Sequence, residues 1–154
     1  SMEVNLPITI PIGLVITLLG FVVLGLMGVA RLLGRLETLS PADVALTALL
    51  VSLVTSRVLS PQYSVWVAGV AAVTFLDPAS RMRTVIWLLV PSVLVTQALY
   101  PIGYGSFLEG AWWAVGLQSI RIVLLVWATV LALVIVTKQA RIAPQQSAAA
   151  ASGA

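Results

Sequence analysis

A long apolar stretch interrupted by one charge places the strongest limit on how this chain can fold. Between Val44 and Leu76, Arg57 is the only charged residue. A charge at the centre of a bilayer costs roughly 2.5–3.5 kcal/mol, so it persists where it faces protein, water or an anionic partner. Pro61 lacks a backbone N–H and ends the helix before it. Arg57 is therefore predicted at a helix end near one membrane face, where it could hold a phosphate or a lipid head group.

Composition assigns the chain to a class of protein. Hydrophobic residues make up 60% of the sequence and charged residues 8%, whereas soluble domains carry about 25% charged residues. The pattern indicates an integral membrane protein.

The absence of cysteine and histidine excludes disulfides, thiolate or imidazole metal sites, and cysteine or histidine catalysis. We expect no cofactor and no metal. The net charge of +3 is interpreted as a signal of topology rather than of nucleic-acid binding.

Hydropathy predicts an all-α, polytopic transmembrane helix bundle with about five spans. The predicted spans are residues 8–30, 42–60, 62–76, 84–100 and 116–137. Ser40 and Pro41 form an N-cap and first-turn pair that opens the second span. Residues 1–3 are interpreted as a tag scar and N-terminus, 4–141 as the transmembrane domain, and 142–154 as a disordered tail. A hairpin between two spans at Ser60 to Tyr63 could instead be a re-entrant loop.

Basic residues predict the orientation of the bundle. Six of the eight fall on one side of a five-span arrangement: Arg31, Arg35, Arg81, Arg83, Lys138 and Arg141. Because basic loops stay in the cytoplasm, the N-terminus is predicted outside and the C-terminus inside. The predicted location is the cytoplasmic membrane.

Polar side chains gather at the predicted outer ends of the spans. The candidates for a lipid-phosphate site are Arg57, Ser60, Gln62, Tyr63, Gln97 and Arg121. Ser56, Tyr100 and Gln118 fall at similar depth, and Ser92 and Thr96 lie on roughly the same helical face as Gln97. A guanidinium binds phosphate through a fork of donors, so these residues could line a phosphate-binding cavity. The alternatives are that the arginines extend to the interface and that the polar residues only join helices.

Three short segments resemble a known family in their order and spacing. They are Thr55-Ser56-Arg57-Val58-Leu59-Ser60-Pro61-Gln62-Tyr63, Thr96-Gln97-Ala98-Leu99-Tyr100-Pro101 and Ser119-Ile120-Arg121-Ile122. Together they resemble the C-terminal part of the polyprenyl-phosphate-dependent GT-C membrane glycosyltransferases of actinobacteria, the mannosyltransferase-like glycosyltransferase 87 family. The chain departs from that family at Ile122, where the family often has asparagine.

The resemblance implies transfer of a mannose-like sugar from a polyprenyl-phosphate carrier to an extracytoplasmic acceptor, with inversion. The acid that such enzymes need usually lies in an early external loop, which this chain lacks. Glu109 is a weak candidate for it. We therefore expect a C-terminal segment that is inactive alone and that binds the carrier phosphate with Arg57 as the main contact and Arg121 as the second.

The expected partners are the polyprenyl-phosphate donor, membrane lipid, and either the missing N-terminal part or a partner membrane protein. Nucleic acid is not expected. Two other functions are compatible with the sequence. The chain could be a non-catalytic small subunit or scaffold that packs against a larger membrane protein, or an accessory protein that binds or flips a carrier lipid.

Overall fold

A computed structural model describes residues 9–56 and 62–152. Within these residues every regular element is a helix. In chain order they are α1 (Thr9–Leu32), α2 (Pro41–Thr55), α3 (Tyr63–Leu76), α4 (Arg83–Gln97), α5 (Tyr104–Leu108) and α6 (Trp112–Ser152). The predicted all-α class agrees with this architecture.

Three of the helices are long and apolar enough to cross a membrane: Pro11–Leu32, Arg83–Tyr100 and Trp112–Ile142. The apolar helices α2 and α3 have 15 and 14 residues. At 1.5 Å per residue each is about 22 Å long, which is shorter than the hydrocarbon core of about 30 Å. The structure thus supports three spans by length, and α2 with α3 forms a shorter helical hairpin.

The start of α2 follows the predicted signal. Ser40 is the N-cap, and its hydroxyl accepts a hydrogen bond from the backbone N–H of Ala42. Pro41 occupies the first helical position, where a missing N–H costs little. The far end differs from the predicted 42–60 boundary, because α2 ends at Thr55 and Ser56 has an extended backbone.

Helix α1 packs on α2 through a close approach of their backbones. The Thr17 hydroxyl donates to the carbonyl oxygen of Thr55 at 3.0 Å. Gly20 faces the Thr55 side chain so closely that a Cβ at position 20 would lie 2.6 Å from the Thr55 Cβ. Small residues permit this kind of helix contact within membranes. The remaining surface of α1 is largely exposed.

Helix α4 contains Pro91 and breaks down after Gln97. An irregular, wide turn follows over Ala98–Gly103, and Tyr100 has an extended backbone with φ −128° and ψ 116°. Pro101 explains the break, since the residue before a proline is disfavoured in the helical region. The sequence predicts helix to residue 100, and the proline ends regular helix slightly earlier.

Helix α6 is the central element, because it packs against both α4 and α2. Ala128 and Ala132 are fully buried on it, and their small size lets α6 approach its neighbours closely. The helix begins at Trp112 and continues to Ser152, whereas the sequence predicts a span over 116–137 and a disordered tail from 142. The alanine-rich end has the highest helix propensity, which explains its helical conformation.

A polar network joins the start of α2 to the loop between α3 and α4. Asp43 is fully buried, and its carboxylate accepts hydrogen bonds from the Ser80 hydroxyl (2.6 Å) and the Arg81 backbone N–H (3.1 Å). The Ser40 hydroxyl also donates to Asp77 at the end of α3. These contacts place the start of α2 and the end of α3 at the same end of the bundle, which we call the Asp43 end.

Candidate functional site

Among the described residues, Arg121 is the one charged side chain that is buried within a helix long enough to span a membrane. It lies on α6 with 2% of its surface exposed. One of its terminal amino groups donates to Gln118 Oε1 at 3.3 Å, one helical turn away. A guanidinium has five N–H donors, and within the described part of the chain Gln118 engages one of them. Its side-chain partner is therefore Gln118 of the same helix, and no buried side-chain nitrogen or oxygen among the described residues lacks a hydrogen-bond partner.

The charge of Arg121 has no carboxylate partner among the described residues. Glu37, Asp43, Asp77 and Glu109 are the described acids, and none forms an ion pair or hydrogen bond with it. Tyr100, at the break after α4, interacts with it electrostatically. A buried charge in a membrane segment is usually paired or faces a water-filled or ligand-filled space. Arg121 therefore stands out as a candidate anion-binding residue.

Arg121 lines a small cavity at the opposite end of the bundle from Asp43, which we call the Arg121 end. The cavity has a volume of about 10 Å³ and is enclosed by four helices; its walls are Leu53, Tyr63, Ser64, Val67, Ser92, Val93, Thr96, Arg121 and Leu125. This space is sufficient for about one water molecule. A phosphate group requires the walls to move apart.

The polar walls come from helix positions that share one face. Ser92 and Thr96 lie one turn apart on α4, both buried, and the Thr96 hydroxyl donates to the Ser92 carbonyl oxygen at 2.8 Å. Residues four apart point to the same side of a helix, so both face α6. Ser92 and Thr96 therefore line the cavity together with Arg121, and the Thr96 hydroxyl is engaged by its own helix.

The structure brings some of the sequence-predicted site residues together and leaves others apart. Tyr63 and Arg121 line the same cavity. Gln62 and Gln97 are exposed and do not line it. Arg57 and Ser60 lie outside the described residues. Glu109 is exposed in the turn after α5.

Ser64 is a cavity residue that the sequence reasoning missed. It is 7% exposed at the start of α3, next to Tyr63. Its spacing in the sequence could have indicated that Ser64 is buried, since Ser64, Val67 and Ala71 fall on one face of α3 and all three are buried. A polar residue that continues a buried apolar stripe indicates a side chain pointed into the protein.

Among the described residues, no group of three or more acidic, cysteine or histidine side chains could hold a metal ion. In comparisons with known proteins, no family model, no curated protein and no solved structure matches the chain.

Proposed function

We propose that this chain is the C-terminal membrane segment of an inverting glycosyltransferase that uses a polyprenyl-phosphate sugar donor, and that Arg121 binds the carrier phosphate. The observation that carries the proposal is the burial of Arg121 at 2% exposure without a described carboxylate partner. The resemblance of three segments to the glycosyltransferase 87 family supplies the reaction class.

Phosphate is the anion that best suits this guanidinium. Arginine presents parallel N–H donors that match two phosphate oxygens. In glycosyl transfer from a lipid phosphate the leaving phosphate gains negative charge in the transition state. A preorganised cation in a drier environment than water stabilises that charge strongly. Gln118, which bonds Arg121, would orient the guanidinium and is a positioning residue.

Phosphate entry requires the cavity to open, because its volume of about 10 Å³ is too small for the group. The wall formed by Tyr63 and Ser64 at the start of α3 follows directly on the segment 57–61. Movement of this wall away from α6 would admit the phosphate. Arg57 and Ser60, which lie outside the described residues, are kept as further members of the proposed phosphate site.

The proposal includes the predicted five-span arrangement, with the Arg121 end outside and the basic loops in the cytoplasm. In that orientation the phosphate site faces the extracytoplasmic side, where the acceptor is expected. The catalytic acid would come from elsewhere in a longer polypeptide or from a partner. Glu109 stays a weak candidate, supported by its exposure near the start of α6.

A second candidate function is a non-catalytic subunit or scaffold. The observation that favours it is the exposed apolar surface of α1, on which Gly25 and Gly28 have no atom within 4 Å of an added Cβ. Backbones of neighbouring membrane helices pack closely at such glycines. Recovery of the chain with a larger membrane protein, and no binding of polyprenyl phosphate, would favour this function.

The test is photolabelling of the whole chain in lipid nanodiscs with a diazirine-bearing polyprenyl phosphate, competed by unlabelled polyprenyl phosphate or polyprenol. We expect Arg121→Gln to weaken binding about tenfold, since a charge-assisted hydrogen bond contributes about 1.5–3 kcal/mol. Arg121→Lys should recover part of this loss. Arg141→Gln is the matched control, because Arg141 is exposed on the same helix.

Equal labelling of the wild type and Arg121→Gln would overturn the proposal. So would equal competition by polyprenol and polyprenyl phosphate, because the arginine would then contribute nothing to recognition of the phosphate.

A further inference from the structure

We propose that an apolar groove between α3 and α4 holds the isoprenoid chain of the lipid whose phosphate Arg121 binds. The identity of the head group rests on the proposed function. The position of the chain rests on the shape of the groove and on the two residues that it shares with the neighbouring Arg121 cavity.

The groove lies between α3 and α4 and has a volume of about 350 Å³. Its lining runs from Val67 to Phe75 on α3 and from Ile86 to Leu94 on α4. Eight residue steps of helix correspond to about 12 Å. Every lining side chain is apolar, and the groove opens toward the membrane at the exposed residues Ala72, Trp87 and Val90.

The groove and the Arg121 cavity share two walls. Val67 and Val93 line both spaces. One turn further toward the Arg121 end, Ser64 and Thr96 are polar, and beyond them lies the guanidinium. A ligand with an anionic head and a hydrocarbon tail matches this order of polar and apolar walls.

The other end of the groove is formed by aromatic rings. Phe75 and Trp87 pack edge to face, with ring centroids 6.5 Å apart. The chain would therefore run from the Arg121 end toward this aromatic pair, parallel to the helices.

The choice of an isoprenoid chain as the occupant rests on the proposed function, in which the head group is a polyprenyl phosphate. Ala68, Ala71 and Ala72 on α3 are small side chains opposite larger ones on α4. The methyl branches of the chain would pack in the space beside these alanines. Bulk lipid is as apolar as the groove, so burial itself gives no preference. Selectivity must come from close packing of the branched chain and from the phosphate at its end.

The experiment uses the whole chain in nanodiscs and a short prenyl phosphate with a diazirine within its chain, followed by mapping of the labelled residues. We expect labels on residues 67–75 and 86–94. The double variant Ala68→Leu, Ala72→Leu fills the groove and should lower labelling about fivefold, because the chain loses its packing contacts. Ala45→Leu makes the same change at an exposed position of α2 outside the groove and should leave labelling unchanged.

Three outcomes would overturn the groove assignment. The first is labelling concentrated on α1, whose exposed surface would collect non-specific probe. The second is unchanged labelling in the groove-filled variant. The third is equal competition by a straight-chain alkyl phosphate, which would remove the preference for an isoprenoid.

The same data separate the two proposals. If Arg121→Gln lowers labelling and the groove-filled variant does not, the groove assignment fails and the phosphate site stands. If the groove-filled variant lowers labelling while Arg121→Gln and removal of the phosphate have no effect, the groove holds an isoprenoid chain and the proposed phosphate site fails.

Discussion

The hydroxyl of Ser80 donates a hydrogen bond to the buried carboxylate of Asp43 at 2.6 Å, although 37 residues separate them in sequence. The Arg81 backbone N–H donates to the second oxygen of the same carboxylate. Asp43 lies in the first turn of α2, where a negative charge is favoured by the helix dipole. This contact fixes the loop between α3 and α4 against the start of α2.

Asp43→Ala is expected to destabilise the folded protein. The substitution leaves the Ser80 hydroxyl and the Arg81 N–H without their acceptor in a partly buried place, at a cost of about 1–2 kcal/mol. Asp43→Asn should cost less, since one acceptor oxygen remains. The measurement is thermal unfolding in detergent micelles. Glu37→Gln, at an exposed acid of the neighbouring loop, is the control; equal melting temperatures for Asp43→Ala and this control would contradict the prediction.

Acid is expected to weaken the Asp43 end through Asp77. Hydrogen bonds from the Ser40 hydroxyl and the Ala79 backbone N–H hold the pKa of Asp77 below its ordinary value of 3.8. A lowered pKa means that the folded state favours the carboxylate, so this stability is present above the ordinary pKa and is lost as the pH falls through the folded one. The melting temperature should therefore drop below about pH 3.8.

Comparison with Asp77→Asn isolates that effect from other acids. The variant lacks the titrating group, so its melting temperature should change less than that of the wild type below about pH 3.8. Ser40→Ala should show a smaller pH dependence than the wild type for the same reason, because the first cause of the lowered pKa is gone. Parallel curves for all three proteins would refute the role of Asp77.

Gly20→Ala is expected to separate α1 from α2. The added Cβ would lie 2.6 Å from Thr55 Cβ and 2.9 Å from its Cγ2, so rotation of the threonine cannot relieve the overlap. Overpacking of this kind costs about 1–3 kcal/mol. Gly25→Ala is the matched control, since no atom lies within 4 Å of its added Cβ. Thermal unfolding should show a loss for Gly20→Ala alone, partly restored by Thr55→Ala.

The length of the native polypeptide tests whether the proposed transferase is one long polypeptide or consists of this chain and a partner subunit. An antibody against residues 138–154 should detect a band much larger than 16.2 kDa in native membranes, as expected for a transferase segment that follows an acid-bearing loop. A band near 16.2 kDa would reject the single-polypeptide version and direct attention to a partner subunit. Loss of the band after competition with the free peptide is the control for specificity.

Local signals in the sequence were sufficient for much of the fold. Low charge and apolar runs establish a helical membrane protein, because the bilayer requires every backbone polar group to be satisfied within the segment. Ser40 with Pro41 correctly predicted the start of α2, since capping depends on neighbouring residues only. The breaks at Asp77 and near Pro101 were also visible in sequence.

Only the tertiary structure decided which polar groups meet. From the sequence alone, Asp43 and Asp77 are acidic residues of loops. No feature of the neighbouring sequence indicates that Asp43 is fully buried with Ser80 as a partner. Arg121 and Gln97 were both candidates for one cavity, yet Arg121 is buried and Gln97 is exposed. The sequence determined where the helices form, because this depends on local propensity and hydropathy. The rotation of each helix, and with it the membership of the site, follows from packing between distant segments.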